Sequence, residues 1–325
     1  MTVETNKQHV SLPVFSQQAT AEALPFDQLI QALRDAFSQG AKVPLRHHHE
    51  IPQADGTEAV LLLMPAWQKS GGVMGVKIVT IFPGNAARKL PGLHSTYMLC
   101  DGTTGQHLAL IDGNQITVRR TVAIAALAAS YLARKDAERL LLVGAGRVGS
   151  MTPYAFRAVR PISEIQVWDR ERAFSERLVA QLQADGLQAV VADDLEVAVR
   201  QSDIVSCATL STEPLIQYGW LSPGTHLDLI GSFTPHMREA DDTCMARGSV
   251  YIDSPDAFKE SGDLIDPIKA GLLKEADILG TLSDLCSGEV QGRSKDDEIT
   301  VFKAVGTGLS DLAAGALAYR NLNTP

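Results

Sequence analysis

Gly144-Ala145-Gly146-Arg147-Val148-Gly149 follows the apolar run 140–143 and precedes a helix-capable stretch. The glycines of such a strand-to-helix turn have separate uses. Gly144 permits the tight turn, Gly146 lets the backbone approach a pyrophosphate, and Gly149 lets the helix pack on the strand. The helix N-terminus then offers free N–H groups and partial positive charge to an anion. G-x-G-x-x-G alone is a weak signal, but its context meets further demands. Pro153 stands early enough for a first helical turn. Asp169 stands twenty residues after Gly149, at the end of the next strand-like run, where an acid reaches a ribose. These features predict a dinucleotide site. Asp169 favours NADH, because it would repel a 2′-phosphate. Arg170 and Arg172 favour NADPH, because they would pair with it. The choice stays open.

The rhythm around this motif fixes the fold class. Strand-like runs at 140–143, 165–168, 189–192, 204–207, 226–230 and 250–252 are separated by helix-length stretches. That is the βαβ pattern of a parallel sheet covered on both faces. Upstream, residues 27–37 carry Leu29, Ile30, Leu33, Ala36 and Phe37 on one helical face. From 43 to 111, short apolar runs (60–64, 73–82, 97–100, 107–111) alternate with turn signals, among them Asp55-Gly56, Gly71-Gly72 and Asp112-Gly113. This spacing predicts an antiparallel sheet. Residues 120–132 predict a long buried helix, and 305–319 a small-residue helix with Leu309, Leu312, Ala313, Ala316 and Leu317 as its stripe. The expected class is α/β: a Rossmann-type domain at 120–305, and an α+β domain made of 1–119 with 306–325. Residues 1–9 are expected to form a loose tail.

Composition narrows the function. A 325-residue chain that is 45% apolar and 21% charged sustains a large core. A net charge of −9 lacks the footprint of a nucleic-acid binder, and no basic block suits an anionic membrane. No apolar stretch reaches the roughly 18 residues of a membrane span. The four cysteines, at 100, 207, 244 and 286, form no C-x-x-C pair, which reads as a reducing cytoplasm.

Several cations sit in apolar company. Lys77 lies within Val73-Met-Gly-Val-Lys-Ile-Val-Thr-Ile81. It is either a buried acid/base or carboxylate partner, or a strand lysine whose amine reaches water. Arg119-Arg120-Thr121 is read as opening the Ala-rich helix, where cations are unfavourable. The arginines there serve a salt bridge or an anionic substrate. Lys303 reaches the cofactor or caps a helix. Arg46 precedes His47-His48-His49, but no carboxylate or cysteine stands at ligand spacing, so no metal site is expected.

Taken together, Gly75-Val-Lys77, Leu110-Ile-Asp-Gly-Asn114, Ile116-Thr-Val-Arg-Arg-Thr121, the glycine motif, Cys207-Ala-Thr-Leu-Ser-Thr-Glu-Pro214, Pro223-Gly-Thr-His226, Phe258-Lys-Glu-Ser-Gly-Asp263 and Thr300-Val-Phe-Lys-Ala-Val-Gly306 resemble the ornithine cyclodeaminase/mu-crystallin family. The resemblance runs in family order from about 43 to 319. It implies a homodimer built through the N-terminal sheets, a bound NAD(H) or NADP(H), and a small amino acid or cyclic imine as substrate. It implies that Arg46 and Arg120 hold the substrate carboxylate and that Lys77 is the active-site lysine. Arg120, Thr121, Gly144, Ala145, Gly146, Arg147, Val148, Gly149, Asp169, Arg170, Thr209, Leu210, Ile230 and Lys303 fall at cofactor-binding positions.

One departure shapes the expected reaction. Cyclodeaminases of the family carry an aspartate where Gly224-Thr-His-Leu-Asp-Leu-Ile-Gly-Ser-Phe-Thr-Pro235 has Phe233, and Asp228 stands at the family's asparagine. A phenyl ring neither takes a proton nor stabilises a leaving ammonium, but it packs on a bare heterocycle. The run Ser232-Phe-Thr-Pro-His-Met-Arg-Glu239 resembles that of the family's Δ1-pyrroline-2-carboxylate reductases, and the resemblance implies NAD(P)H-dependent reduction of Δ1-pyrroline-2-carboxylate to L-proline, and of Δ1-piperideine-2-carboxylate to L-pipecolate, with no acidic side chain at hand to expel an amine. Ornithine cyclodeaminase, alanine dehydrogenase and a dinucleotide-dependent binding protein of mu-crystallin type are the alternatives.

Overall fold

The computed structural model describes residues 12–323 apart from 55 and 57. The expected tail at 1–9 and Asp55 of the Asp55-Gly56 turn lie outside the described residues. Two sheets organise the chain. The first has six strands, in the spatial order Val14–Phe15, His107–Asp112, Leu93–Asp101, Val73–Ile81, Glu58–Trp67, His47–Pro52. Its hairpin-linked strands are antiparallel, as expected, but Val14–Phe15 adds a parallel partner at one edge. The second sheet has eight parallel strands: Gly280–Thr281, Ser249–Ile252, Thr300–Lys303, His226–Leu229, Ile204–Cys207, Arg139–Val143, Glu164–Trp168, Ala189–Val191. Its core confirms the mixed α/β class with a Rossmann-like sheet.

The period-two alternation of strands assigns the core. Leu140 and Leu142 join a cluster with Phe302, Leu127, Ile116, Leu33 and Leu24. Leu141 and Val143 join Val205, Leu227 and Val301 on the opposite face. The first cluster is continuous across both sheets because helix Gly113–Leu132 lies between them and packs on strands of each. That helix begins seven residues before Arg120, and Asp112 caps it by accepting from the Gln115 N–H at 2.7 Å. Arg119 and Arg120 therefore lie two turns in, not at the helix start as expected, so the dipole argument does not bear on them. The 119/120 division also falls inside this helix.

Helix Gly308–Asn323 returns to the first sheet. It packs on helix Phe26–Gln39 and on strands Glu58–Trp67, Val73–Ile81 and Leu93–Asp101. It is buried almost all round over 308–318, so the expected single stripe is too narrow. Small residues make this possible: a Cβ at Gly315 would stand 2.5 Å from the Tyr97 ring. Lys303 is not a helix cap; it ends strand Thr300–Lys303 in the middle of the parallel sheet. No helix among the described residues is long and apolar enough to cross a membrane.

Candidate active site

In an open parallel sheet, ligands bind outside the carboxyl ends of the strands. Strands Arg139–Val143, Ile204–Cys207, His226–Leu229 and Thr300–Lys303 are successive neighbours. Their following loops carry Gly144–Arg147, Ala208–Ser211, Ile230–Phe233 and Ala304–Gly306 in a row. Three strand intervals span about 14 Å, so an extended ligand laid along this edge passes all four loops.

The cleft at the glycine end has a volume of ≈ 550 Å³. Its lining includes Gly144, Ala145, Gly146, Arg147, Asp169, Arg170, Thr209 and Leu210. Gly144 has φ 101°, and a Cβ there would meet the Ala208 carbonyl at 2.7 Å, so only glycine fits. A Cβ at Gly146 would meet nothing within 4 Å. The backbone is thus open where a pyrophosphate must approach. Asp169 accepts from the Ala145 N–H at 2.8 Å and from the Glu171 N–H at 3.0 Å, which ties the acid to the glycine loop. These residues fit a dinucleotide. Arg172 is taken up by Glu176 and Asp193, leaving Arg170, Arg147 and Arg177 on the cleft wall.

Other residues expected at the cofactor do not line this cleft. Gly149 is buried beneath it, where a Cβ would stand 2.0 Å from the Gly144 carbonyl oxygen, and Val148 packs on the core. Thr121 donates to its own helix at Thr117 O, and Ile230 is buried. Lys303 is fully buried, 3.4 Å from Asp263 and 3.8 Å from Glu239, so its ammonium faces carboxylates instead of the cleft. Glu239, which sequence reasoning missed, takes the N–H groups of Thr209, Gly231 and Ser232 and so ties two rim loops together.

At the other end of the edge, Arg46, Lys77 and Arg120 converge. Lys77 alternates with Gly75 and Val79 onto the inward face of strand Val73–Ile81 and is 2% exposed. It donates to Asp311 Oδ1 at 2.8 Å, with Oδ2 at 2.7 Å. Arg120 Nε donates to the same Oδ1 at 3.1 Å. Arg46 donates to Gly306 O at 3.0 Å and pairs with Glu260 Oε2 at 2.8 Å. Gly306 has φ 81°, and a Cβ there would lie 2.3 Å from the Arg120 guanidinium. The end of strand Thr300–Lys303 therefore carries both arginines to one spot. Asp253 fixes that turn through the Val305 and Gly306 N–H groups.

Burial pushes Lys77 down to about 8, with Asp311 opposing and Arg120 and Arg46 adding. Burial works to raise Asp311, but Lys77 and Arg120 hold its carboxyl below the usual range. Asp311 was not singled out in the sequence. Its signal was a lone acid in a Gly/Ala/Leu helix, which burial permits only beside a cation. Phe233 is 41% exposed on a loop whose Ser232 Oγ lies 2.9 Å from Ser261 Oγ. Glu260 precedes that serine, so the expectation of no acidic side chain at this mouth needs correction: Glu260 supplies one, from a different segment than position 233.

The sequence profile of the ornithine cyclodeaminase/mu-crystallin family matches residues 13–324. The Δ1-pyrroline-2-carboxylate reductase of Paracoccus denitrificans is 40% identical over 85% of this chain and 90% of its own. The Δ1-pyrroline-2-carboxylate reductase of Thermococcus litoralis, solved with NADH and L-proline, superposes with a TM-score of 0.89 at 30% identity, over 95% of this chain and 97% of that one. An archaeal alanine dehydrogenase dimer with bound NAD superposes with a TM-score of 0.88 at 27% identity, over 95% of each chain. The chain belongs to the ornithine cyclodeaminase/mu-crystallin family.

Proposed function

We propose that the chain is an NAD(P)H-dependent reductase of cyclic imino acids, taking Δ1-pyrroline-2-carboxylate to L-proline and Δ1-piperideine-2-carboxylate to L-pipecolate. The observation that carries this reading is the meeting of Arg46, Lys77 and Arg120 on the same loop edge as the dinucleotide cleft. Relatives at 40% and 30% identity named for the first of these reactions support it.

When bound, the nicotinamide supplies a hydride. The glycine loop, Asp169 and the Thr209–Leu210 turn hold the dinucleotide. Arg46 and Arg120 present guanidinium forks to the substrate carboxylate, which suits their planar geometry. Fixing the carboxylate fixes the adjacent C=N bond, the orientation effect that lowers the barrier of a two-reactant step. Lys77 adds a third positive charge that Asp311 keeps in one place. Phe233 offers an apolar face to the ring carbons and no group to remove ammonia. The first sheet and the last helix form the substrate and dimerisation unit, and 120–305 the cofactor unit, with two copies meeting through the first sheets.

The test follows NADH and NADPH absorbance separately with each cyclic imine, with L-ornithine as control. Imine-dependent oxidation without ammonia release from L-ornithine is expected. Ammonia from L-ornithine, or cofactor binding with no turnover of either imine, would sink the reading.

A further inference from the structure

Four donors converge on one fully buried carboxylate beneath the middle of the loop edge. Glu239 Oε1 accepts from the Thr209 N–H at 2.8 Å and from Thr209 Oγ1 at 3.0 Å. Its Oε2 accepts from the Gly231 N–H at 2.7 Å and the Ser232 N–H at 3.2 Å. Each oxygen serves a different loop, and the loops touch: a Cβ at Gly231 would stand 2.2 Å from the Thr209 carbonyl oxygen. An ionised carboxylate has about four lone-pair sites, and the four donors take them all. A protonated one must turn an O–H toward a donor and leave an N–H without a partner, which is costly in a dry site. The donors thus require the charged form, which burial disfavours. Lys303, at the end of strand Thr300–Lys303, favours it from 3.8 Å, while its ammonium donates no hydrogen bond. Two buried acids oppose it: Asp263, from helix Gly262–Lys269, and Asp228, from strand His226–Leu229. Asp263 also accepts from the Glu239 and Ala240 N–H groups, at 2.8 and 3.2 Å. The Cys207 thiol faces Glu239 too, pushed well up by burial, and the neighbouring Arg238 is taken up by Asp242, Asp263 and Asp266.

We propose that Glu239 is a positioning residue for the cofactor: held ionised by Lys303, it fixes the Ala208–Ser211 and Ile230–Phe233 loops at the spacing that admits the nicotinamide half of the dinucleotide. This rests on the dinucleotide cleft and not on the imine-reductase reading. The two loops lie between the glycine loop, where the pyrophosphate approaches, and the turn that meets Arg46 and Arg120. The half of the ligand that reaches from one to the other passes over them. The adenosine half stays with Asp169 and the glycine loop. Loss of the Glu239 charge frees one of the two loops and leaves the glycine turn in place. Burial raises Glu239 to about 7, with Lys303 opposing and Asp263 adding. The loops are therefore held above that pH and released below it.

Binding of NADH and of ADP to the full chain, with no imine present, tests this. Glu239→Gln keeps the side-chain shape and leaves Lys303 paired with Asp263 at 3.4 Å. At pH 8 this variant should bind NADH about tenfold more weakly than the parent, and ADP within about threefold of it. The NADH deficit should shrink toward none at pH 6, where the parent's own acid is mostly neutral. Lys303→Met, a second and independent variant, should move the parent's loss of NADH affinity to higher pH, because the charge that favours the anion is gone. An ADP deficit as large as the NADH deficit marks a merely structural role. That result, a deficit constant from pH 6 to pH 8, or an unchanged pH course in Lys303→Met overturns the proposal. A parent that binds neither NADH nor ADP overturns the cleft assignment, and this proposal with it. A parent that binds both but reduces neither imine overturns the reductase reading alone.

Discussion

A lysine at 2% exposure keeps its charge only if something offsets lost hydration, and at Lys77 the offset is Asp311 at 2.7 Å. The sequence left Lys77 open between burial and snorkelling because alternation places it on a face without saying what covers that face. Its partner is 234 residues away in sequence, beyond any local pattern. Lys77→Ala and Arg120→Ala should each lower kcat/KM by at least about tenfold, or ~1.4 kcal/mol, while NADH still quenches protein fluorescence. Full activity in both would remove them from the site. Cofactor choice also belongs to single residues. Asp169 places a carboxylate against the glycine loop, while Arg147, Arg170 and Arg177 line the same cleft. Asp169→Ala deletes the charge that repels a 2′-phosphate and leaves the arginines. The ratio of kcat/KM for NADPH to that for NADH should rise about tenfold, and an unchanged ratio would place the ribose elsewhere.

Elements were legible where their signal is local. The glycine turn, the βαβ rhythm and the hairpin turns depend on residues a few positions apart, and the sheets follow them. The start of helix Gly113–Leu132 was misplaced because Asp112-Gly113 carries the same chemistry in a turn as at a helix cap. Strand Thr300–Lys303 was obscured by its lysine, which is tolerable mid-sheet only because Glu239 and Asp263 lie beneath it. Strand His226–Leu229 carries a similar cost. Asp228 is fully buried, takes a 2.5 Å hydrogen bond from Ser206 Oγ, and is pushed by burial up to about 7. Its unfolded value is about 3.9. Between roughly pH 4 and 7 the folded chain therefore binds more protons here than the unfolded chain, and this residue's contribution to stability falls as pH rises through that window. A neutral acid has the shape of the asparagine that the family resemblance places there. Asp228→Asn should therefore raise Tm at pH 8, leave it nearly unchanged at pH 4, and flatten the decline between them. An equal decline in both proteins would assign that pH dependence to other groups.

At the scale of the whole molecule, one face of the first sheet carries no second layer among the described residues. A two-layer domain covers the apolar face of each sheet, and the inward face of the first sheet has helices Gly113–Leu132 and Gly308–Asn323 upon it. The outward face is apolar too. Val76 pairs with Pro65 on one side and Met98 on the other, and Ile78 pairs with Leu63, which forms a continuous patch. Met74 is 37% and Ile78 36% exposed on that face. Contiguous apolar surface on a sheet mid-section, away from its edges, asks for a partner of similar character. A second copy satisfies this with one self-complementary contact that closes on itself. Because strand side chains alternate, Val76 and Ile78 face outward while Lys77 between them faces the site. Val76→Asp with Ile78→Asp places charge in the proposed contact without adding a group on the catalytic side. Light scattering should show a dimer for the parent and a monomer for the double variant, with the α/β circular dichroism retained. A parent that is monomeric, or a double variant that stays dimeric, would mean that this face meets something other than a second copy of the chain.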